Sequence, residues 1–273
     1  MASLFRHKIQ IHCCNFYHNS KTMTLNAAHA KLGHIGVDAT REVARSLKWT
    51  ITRGPWKPCA GCAEAKAKQK NLPKHDESER KASKERGRVF LDVSSIRTGA
   101  DESSNTTKPH WRLMVREKTG LKSSDFYVTK SEMVEPTCEK IHKWNQVGLT
   151  VTHLRMDNAG ENLRLQQRLE SADWKIPVNI EYTAARTPQQ NSLVEVSFVT
   201  IYARAKAMMS AANLSRDSRR LLYREAISTA TKMDGLMQVE IDGVTKSRFE
   251  HEYGSNPPFA RHLRTWGEAG TIK

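Results

Sequence analysis

The chain has 273 residues, of which 38% are hydrophobic, and its 44 Lys and Arg against 29 Asp and Glu give a formal net charge of +15. This length allows one large domain or two smaller ones. No apolar run approaches the roughly 18 residues of a transmembrane helix, so we expect no membrane association. The positive charge favours a polyanionic partner, most often nucleic acid. The five cysteines form no disulfide framework, which predicts reduced thiols and an intracellular protein.

Residues 1–24 are partly apolar but are interrupted by charges and histidines, which makes them a poor signal peptide. We therefore expect an irregular N-terminal extension. It contains one candidate metal cluster, although adjacent cysteines rarely bind a single ion well. The members of that cluster are His12, Cys13, Cys14 and His18.

Residues 25–65 are predicted to form a small helical unit with four metal ligands. His29 and His34 are separated by four residues, and Cys59 and Cys62 by two. We expect the histidines on neighbouring turns of one helix. Imidazole nitrogens and thiolate sulfurs are the ligands of tetrahedral structural Zn²⁺. The alternative is a surface histidine pair with two free thiols.

Residues 66–87 are predicted to be a charged linker, because they carry many lysines and arginines and almost nothing apolar. Such a run of charges is usually exposed to solvent. The second interpretation is that its lysines bind DNA phosphates. The lysines concerned are Lys66, Lys68, Lys70 and Lys74.

Residues 88–212 show the hydrophobic patterns of an α/β domain with a mixed sheet flanked by helices. From Ser192 an apolar stripe at intervals of three and four residues predicts a long amphipathic helix. Residues 213–273 are predicted to be a helical extension of this core. The predicted strands cover residues 88–96, 111–117, 125–130, 149–157 and 178–183. The helices predicted between the last three strands cover residues 132–148 and 161–174.

Three carboxylates occupy element ends or strand positions that a sheet could bring together. Asp92 lies in the first strand, Asp157 ends a later strand, and Glu195 stands near the start of the long helix. Carboxylates held close together repel unless cations neutralise them. Mg²⁺ prefers such oxygen ligands, and paired ions stabilise both oxygens of a phosphoryl displacement. A simpler interpretation of Glu195 is an acidic residue that favours a helix N-terminus.

Two segments, "LRMDNAGEN" and "TPQQNSLVEV", resemble the hallmark segments of copia-type LTR-retrotransposon integrases, which are parts of a Pol polyprotein. "RVFLDVSS" resembles the strand that supplies the first aspartate of that family. The resemblance covers residues 25–273. It implies a ribonuclease-H-like core with a D,D,E active site, and a preceding H-H-C-C zinc module. The implied ligands are Asp92, Asp157 and Glu195 for Mg²⁺ or Mn²⁺, and His29, His34, Cys59 and Cys62 for Zn²⁺.

The last hallmark segment departs from the family at two positions. Ser192 and Val196 stand where family members usually carry Gly and Arg. Loss of Gly stiffens a loop, and loss of Arg removes a potential phosphate contact, but neither removes a metal ligand. The stretch from Thr187 to Gln190 fits a helix capping box, whereas the resemblance favours a loop, with the helix opening near Asn191.

The resemblance implies metal-dependent 3′-end processing of DNA and strand transfer into target DNA, in the nucleus and by a homo-multimer. We expect Gln190, Asn191, Arg204 and Lys206 to contact the DNA backbone. One alternative is an inactive transposon-derived remnant that still binds DNA. Another is an unrelated ribonuclease-H-like nuclease that hydrolyses RNA–DNA hybrids.

Overall fold

The computed structural model describes residues 22–66, 87–96, 108–183 and 192–268. Most of the predicted N-terminal extension and linker, and the stretch from Thr187 to Asn191, lie outside these ranges. None of the helices in the described ranges is long and apolar enough to cross a membrane.

The N-terminal unit is helical, as expected, but its two histidines do not share a helix. The Thr24 hydroxyl accepts a hydrogen bond from the Ala27 N–H at 3.2 Å and caps the first helix, which ends at Lys31. Gly33 and His34 then adopt positive φ angles of 69° and 58°. A left-handed pair of this kind terminates a helix, so His34 lies in the turn that follows. The elements are α1 (Leu25–Lys31), α2 (Val37–Ser46), α3 (Ala60–Lys66) and the parallel strands β1 (Thr22–Met23) and β2 (Thr50–Ile51).

The central sheet has the order β5-β4-β3-β6-β7. Among its described strands, β4 alone runs antiparallel to the others. This order and direction define a ribonuclease-H-like sheet, so the predicted fold class is confirmed. The strands are β3 (Arg88–Ser95), β4 (His110–Arg116), β5 (Lys122–Tyr127), β6 (His153–Met156) and β7 (Asn179–Tyr182).

Helices cover both faces of the sheet, and the alternation of side chains along β3 shows why. Val89 and Leu91 point to one face and pack in one hydrophobic cluster, whereas Phe90 points to the other face and packs in a second cluster. Burial on both faces explains the almost continuous apolar sequence of this strand. The helices are α4 (Val134–Gln146) and α5 (Gly160–Glu170) on the Val89 face, and α6 (Ser192–Ala211) on the Phe90 face.

The C-terminal part contains helices and also a β-hairpin that was not predicted. Asp242 and Gly243 form the turn with φ angles of 53° and 76°. An Asp-Gly pair at positive φ is typical of a tight hairpin turn, so the signal was present in the sequence. The elements are α7 (Arg216–Leu221), α8 (Tyr223–Asp234), β8 (Gln238–Ile241), β9 (Val244–Ser247) and α9 (Arg248–Tyr253).

The N-terminal unit packs against the rest of the chain through an apolar cluster and a close approach of two helices, in addition to polar contacts such as Ser210 to Glu64. Leu32 and Ile35 share a hydrophobic cluster with Met233 of α8. In α3, a Cβ atom at Gly61 would lie 2.8 Å from the Ala207 carbonyl oxygen of α6. The absence of a side chain at Gly61 therefore allows α3 to lie directly on the helix that carries Glu195. The division of the chain into separate domains stays a prediction.

A buried carboxylate, Asp234, joins the C-terminal helices to the sheet through three cations. It lies 2.6 Å from Arg204, 2.5 Å from Lys122 and 3.4 Å from Arg248. Burial alone would raise the pKa of Asp234, but the three cations outweigh it and hold the pKa well below its usual range. Burial also lowers the pKa of Lys122 to about 8.

We expect Asp234→Asn to destabilise the fold by about 3–5 kcal/mol, because it leaves three buried cations without their anion. Urea denaturation measures this change. The control is Asp38→Asn, because the Asp38 carboxylate also forms an ion pair but is exposed. The folded-state pKa of Asp234 lies below its ordinary 3.8, so its stabilising effect is present above that value and is lost as the pH falls. Equal effects of the two substitutions would contradict the assigned role of Asp234.

Candidate active site and metal centre

The three predicted carboxylates lie on one side of the sheet. Asp92 has the same parity along β3 as Phe90 and therefore points to the α6 face. Asp157 follows β6, which pairs in parallel with β3. In β6, Arg155 places its guanidinium 5.2 Å from the centre of the Phe90 ring, so Asp157, two residues later, continues on that face. Glu195 lies in the first turn of α6 on the same face.

The charges of Asp157 and Glu195 both act on the Asp92 carboxyl, although among the described residues the three carboxylates do not form a close ligand group like the His/Cys group near the N-terminus. Burial is the main cause that raises the pKa of Asp92, and repulsion from Asp157 and Glu195 raises it further. Lys130 acts in the opposite direction. Such mutual repulsion is what a bound cation would relieve.

The hydrogen bonds of these carboxylates leave oxygens available for a cation. Asp92 Oδ1 accepts a hydrogen bond from the Val93 N–H at 2.7 Å. Asp157 Oδ1 accepts from the Ala159 N–H at 3.3 Å and from the side chain of Asn162. The remaining oxygens of this pair, and both oxygens of Glu195, accept no hydrogen bond from the described residues. A donor set of several anionic oxygens fits Mg²⁺ or Mn²⁺.

Two further residues at this site were not identified from the sequence. Asn162 lies within the "DNAGEN" segment itself, so its proximity to Asp157 could have been considered. Lys130 gave no local signal. It forms an ion pair with Glu161 at 3.4 Å and partly balances the charge of Asp92.

The four predicted zinc ligands converge near the N-terminus. Among the described residues they form a group whose ligand atoms all lie within 4.8 Å of one another. His29 Nε2 lies 3.1 Å from His34 Nδ1 and 3.2 Å from Cys62 Sγ, and Cys59 Sγ lies 3.3 Å from His34 Nδ1. Four N/S atoms around a tetrahedral Zn²⁺, each about 2.0–2.3 Å from the ion, are separated by similar distances.

A second contact orients the predicted zinc ligand His29. Its Nδ1–H donates to the Ile35 carbonyl at 2.8 Å, which leaves Nε2 facing the cluster. A hydrogen bond from the non-ligating ring nitrogen is the usual way in which proteins orient metal-binding histidines. Both histidines are buried, and the donor set fits zinc, whereas the carboxylates present the harder donors that suit magnesium.

The predicted DNA contacts are only partly compatible with the structure. Arg204 is buried and pairs with Asp234, so its guanidinium is not presented to a ligand, contrary to the prediction. Its partner lies thirty residues further along the chain, which local periodicity could not reveal. Lys206 is exposed, and its Nζ lies 5.6 Å from the centre of the Tyr202 ring. Lys66 ends α3. Gln190, Asn191, Lys68 and Lys70 lie outside the described residues.

A groove runs along α6 beside the carboxylates, with a volume of about 300 Å³. Its floor and walls are largely apolar, and Lys206 contributes the positive charge. One side of the groove is lined by the residues two to four positions after Asp92 in the chain. The other side is lined by residues of α6 that begin one turn after Glu195. Its lining includes Ser94, Ser95, Ile96, Phe198, Tyr202 and Lys206.

No protein-family model matches the chain, and no curated protein matches it in sequence. Among solved structures, a chain of the simian T-cell lymphotropic virus intasome in complex with PP2A regulatory subunit B56 gamma is similar at 16% identity and a TM-score of 0.42, over 68% of this chain and 59% of that chain. The catalytic core domain of BIV integrase is similar at 13% identity and a TM-score of 0.44, over 62% of this chain and 95% of that chain.

The HTLV-2 integrase catalytic core domain in complex with magnesium gives 15% identity and a TM-score of 0.41, over 61% of this chain and 96% of that chain. The chain spans 59% of the length of the intasome chain it matches. At these identities and TM-scores the similarities carry no argument, and function has to be inferred from this chain's own side chains.

Proposed function

We propose that this chain is a copia-type retrotransposon integrase, a divalent-metal-dependent enzyme for 3′-end processing and strand transfer of DNA. The observation that carries the proposal is the placement of Asp92, Asp157 and Glu195 on one face of a ribonuclease-H-like sheet. The net charge of +15 supports a polyanionic substrate. The His/Cys cluster supports the presence of the zinc module that this kind of integrase carries.

In this proposal the three carboxylates hold and orient divalent cations. Mg²⁺ or Mn²⁺, when bound, would supply Lewis-acid stabilisation of the attacking and leaving oxygens of the displacement. Asp92 is half-buried in the sheet and provides a rigid ligand, while Asp157 and Glu195 approach it from an adjacent strand end and a helix start. The remaining contribution of the chain is to position the DNA backbone.

The groove along α6 is proposed to hold the DNA strand that enters this site. Lys206 lies on the groove and would contact a phosphate, while the apolar lining contributed by Phe198 and Tyr202 excludes water. Joining two DNA ends to one target requires more than one active site, so we propose that the active form is a homo-multimer. Chromosomal DNA as the target places the reaction in the nucleus.

The deciding experiment offers the full chain a short DNA duplex that carries element ends, a target duplex, and Mg²⁺ or Mn²⁺. Joined products on a denaturing gel would support the integrase. DNA binding without joined products would support the inactive remnant instead. Hydrolysis of an RNA–DNA hybrid, without joining, would favour the nuclease.

Binding to DNA is expected to weaken steeply with salt, because the contacts release counterions from the phosphates. We expect Lys206→Gln to reduce the slope of log K against log[salt] by about 1. The matched control is Lys246→Gln, since Lys246 is exposed on the hairpin strand β9. Fluorescence anisotropy at several salt concentrations measures both slopes, and an unchanged slope for Lys206→Gln would remove this residue from the interface.

A further inference from the structure

Asn162 is a buried asparagine that contacts a carboxylate of the candidate active site. It is the third residue of α5 and is 2% exposed. Its Nδ2 donates to the Oδ1 of Asp157 and, at 3.1 Å, to the main-chain carbonyl of the same residue. The Ala159 N–H also donates to that Oδ1. One carboxylate oxygen is therefore held from two directions.

The two acceptors of Asp157 determine which way the Asn162 amide faces. In the flipped orientation the amide oxygen would face two oxygens that carry no proton. Nδ2 therefore has to face Asp157, and Oδ1 is turned away from it. That Oδ1 atom is buried and has no hydrogen-bond partner among the described residues.

An unpartnered buried oxygen is unfavourable, because it loses its hydrogen bonds to water without gaining others. A leucine has nearly the same volume and would fill the same space without a polar atom. Packing therefore does not account for an asparagine at this position. A leucine, however, could not donate hydrogen bonds to Asp157. Buried polar groups that packing alone would not favour are typical of functional sites.

Asp157 needs such a restraint because of its surroundings. It is exposed, and its negative charge is repelled by Asp92. Without a hydrogen bond its side chain would rotate towards solvent, away from the other carboxylates. The amide of Asn162 opposes this rotation from the buried side.

We propose that Asn162 is the positioning residue of this active site, whose amide keeps the Asp157 carboxylate turned towards Asp92 so that the pair can bind a divalent cation. The inference rests on the proposed function, because it treats Asp157 as a metal ligand. Asn162 itself contacts neither the metal nor the DNA.

The test measures Mn²⁺ binding to the full chain, purified with Zn²⁺, by isothermal titration calorimetry. Asn162→Leu keeps the volume and removes the donors, and Asn162→Ala removes the donors without adding a new group. We expect each variant to bind Mn²⁺ at least ~10-fold more weakly than the parent chain, as is usual when a partner of a metal ligand is lost. Thermal melting checks that both variants are folded.

Asn145→Leu provides a matched control. Asn145 also uses its amide structurally, since its Oδ1 accepts from the Val151 N–H at 2.8 Å near the end of α4. This variant is expected to lose stability without losing Mn²⁺ affinity, which separates a structural effect from a positioning effect.

Unchanged Mn²⁺ affinity in both Asn162 variants would overturn the inference, whatever the chain does with DNA. A failure of the proposed function would be recognised by a different result. If the Asn162 variants bind Mn²⁺ weakly but the parent chain joins no DNA, the positioning role stands and the integrase activity does not.

Discussion

Asp92→Asn, Asp157→Asn and Glu195→Gln are each expected to lower DNA joining by at least ~100-fold, because each substitution would remove one anionic ligand of the proposed cations, which would stabilise the transition state. The substitutions keep the size of the side chain. We expect the affinity for DNA to change little, since phosphate binding depends on lysines elsewhere. Gel analysis of joined products and anisotropy measurements of binding, on the same protein, test both parts.

The stability of these variants separates lost chemistry from lost folding. The pKa of Asp92 is raised by burial and by its two acidic neighbours, so neutralising any one of the three carboxylates relieves repulsion. The melting temperature should therefore stay constant or rise. Glu139→Gln, at an exposed carboxylate paired with Lys143, is the control and should join DNA normally. Full activity in any one of the three variants would exclude that residue from the site.

Cys62→Ser, or removal of zinc with a chelator, is expected to unfold the N-terminal unit before the rest of the chain. Zinc binding by a Cys/His site of this kind supplies apparent free energy of roughly 10–16 kcal/mol at neutral pH. Cys62 lies inside α3, and α3 packs on α6 through Gly61. Loss of the ion should therefore also lower the melting temperature of the core. Helical circular dichroism and thermal melting measure the two effects.

Metal analysis provides the control for this experiment. One Zn²⁺ per chain is expected in the parent protein and much less in Cys62→Ser, and added Zn²⁺ should restore helicity only in the chelated parent chain. Mg²⁺ should not replace it, because thiolate and imidazole ligands select the softer ion. Residues 25–65 that keep their helicity without zinc would show that the cluster is not structural.

Much of the core was predictable because its elements follow local rules. Apolar runs and turn residues predicted the five strands, the helices between them and the approximate start of α6 at Ser192. The zinc ligands were identified from residue types and their spacing, whereas the three carboxylates were singled out by the resemblance to copia-type integrases, and their role as metal ligands stays a prediction. The strand predicted for residues 149–157 proved to be limited to His153–Met156, since only this part pairs with β3 and β7.

The errors have specific causes. Gly33 ends α1 before His34, so the histidines approach each other through a left-handed turn and not along one helix. The hairpin of residues 238–247 was missed although its Asp-Gly turn was visible. Arg204 lies in a helix that was predicted to be amphipathic, but the structure buries its side chain against Asp234.

The amino-acid sequence by itself determined which local elements form and which imidazole, thiol and carboxylate groups are available as metal ligands, and its net charge favours a polyanionic partner. These properties follow from short-range hydrogen bonding, side-chain periodicity and net charge. Only the tertiary structure decided that Asp92, Asp157 and Glu195 share one face of the sheet and that Arg204 is buried against Asp234. Each of these depends on contacts between segments whose distance and orientation are set by packing of the whole core, which no local pattern encodes.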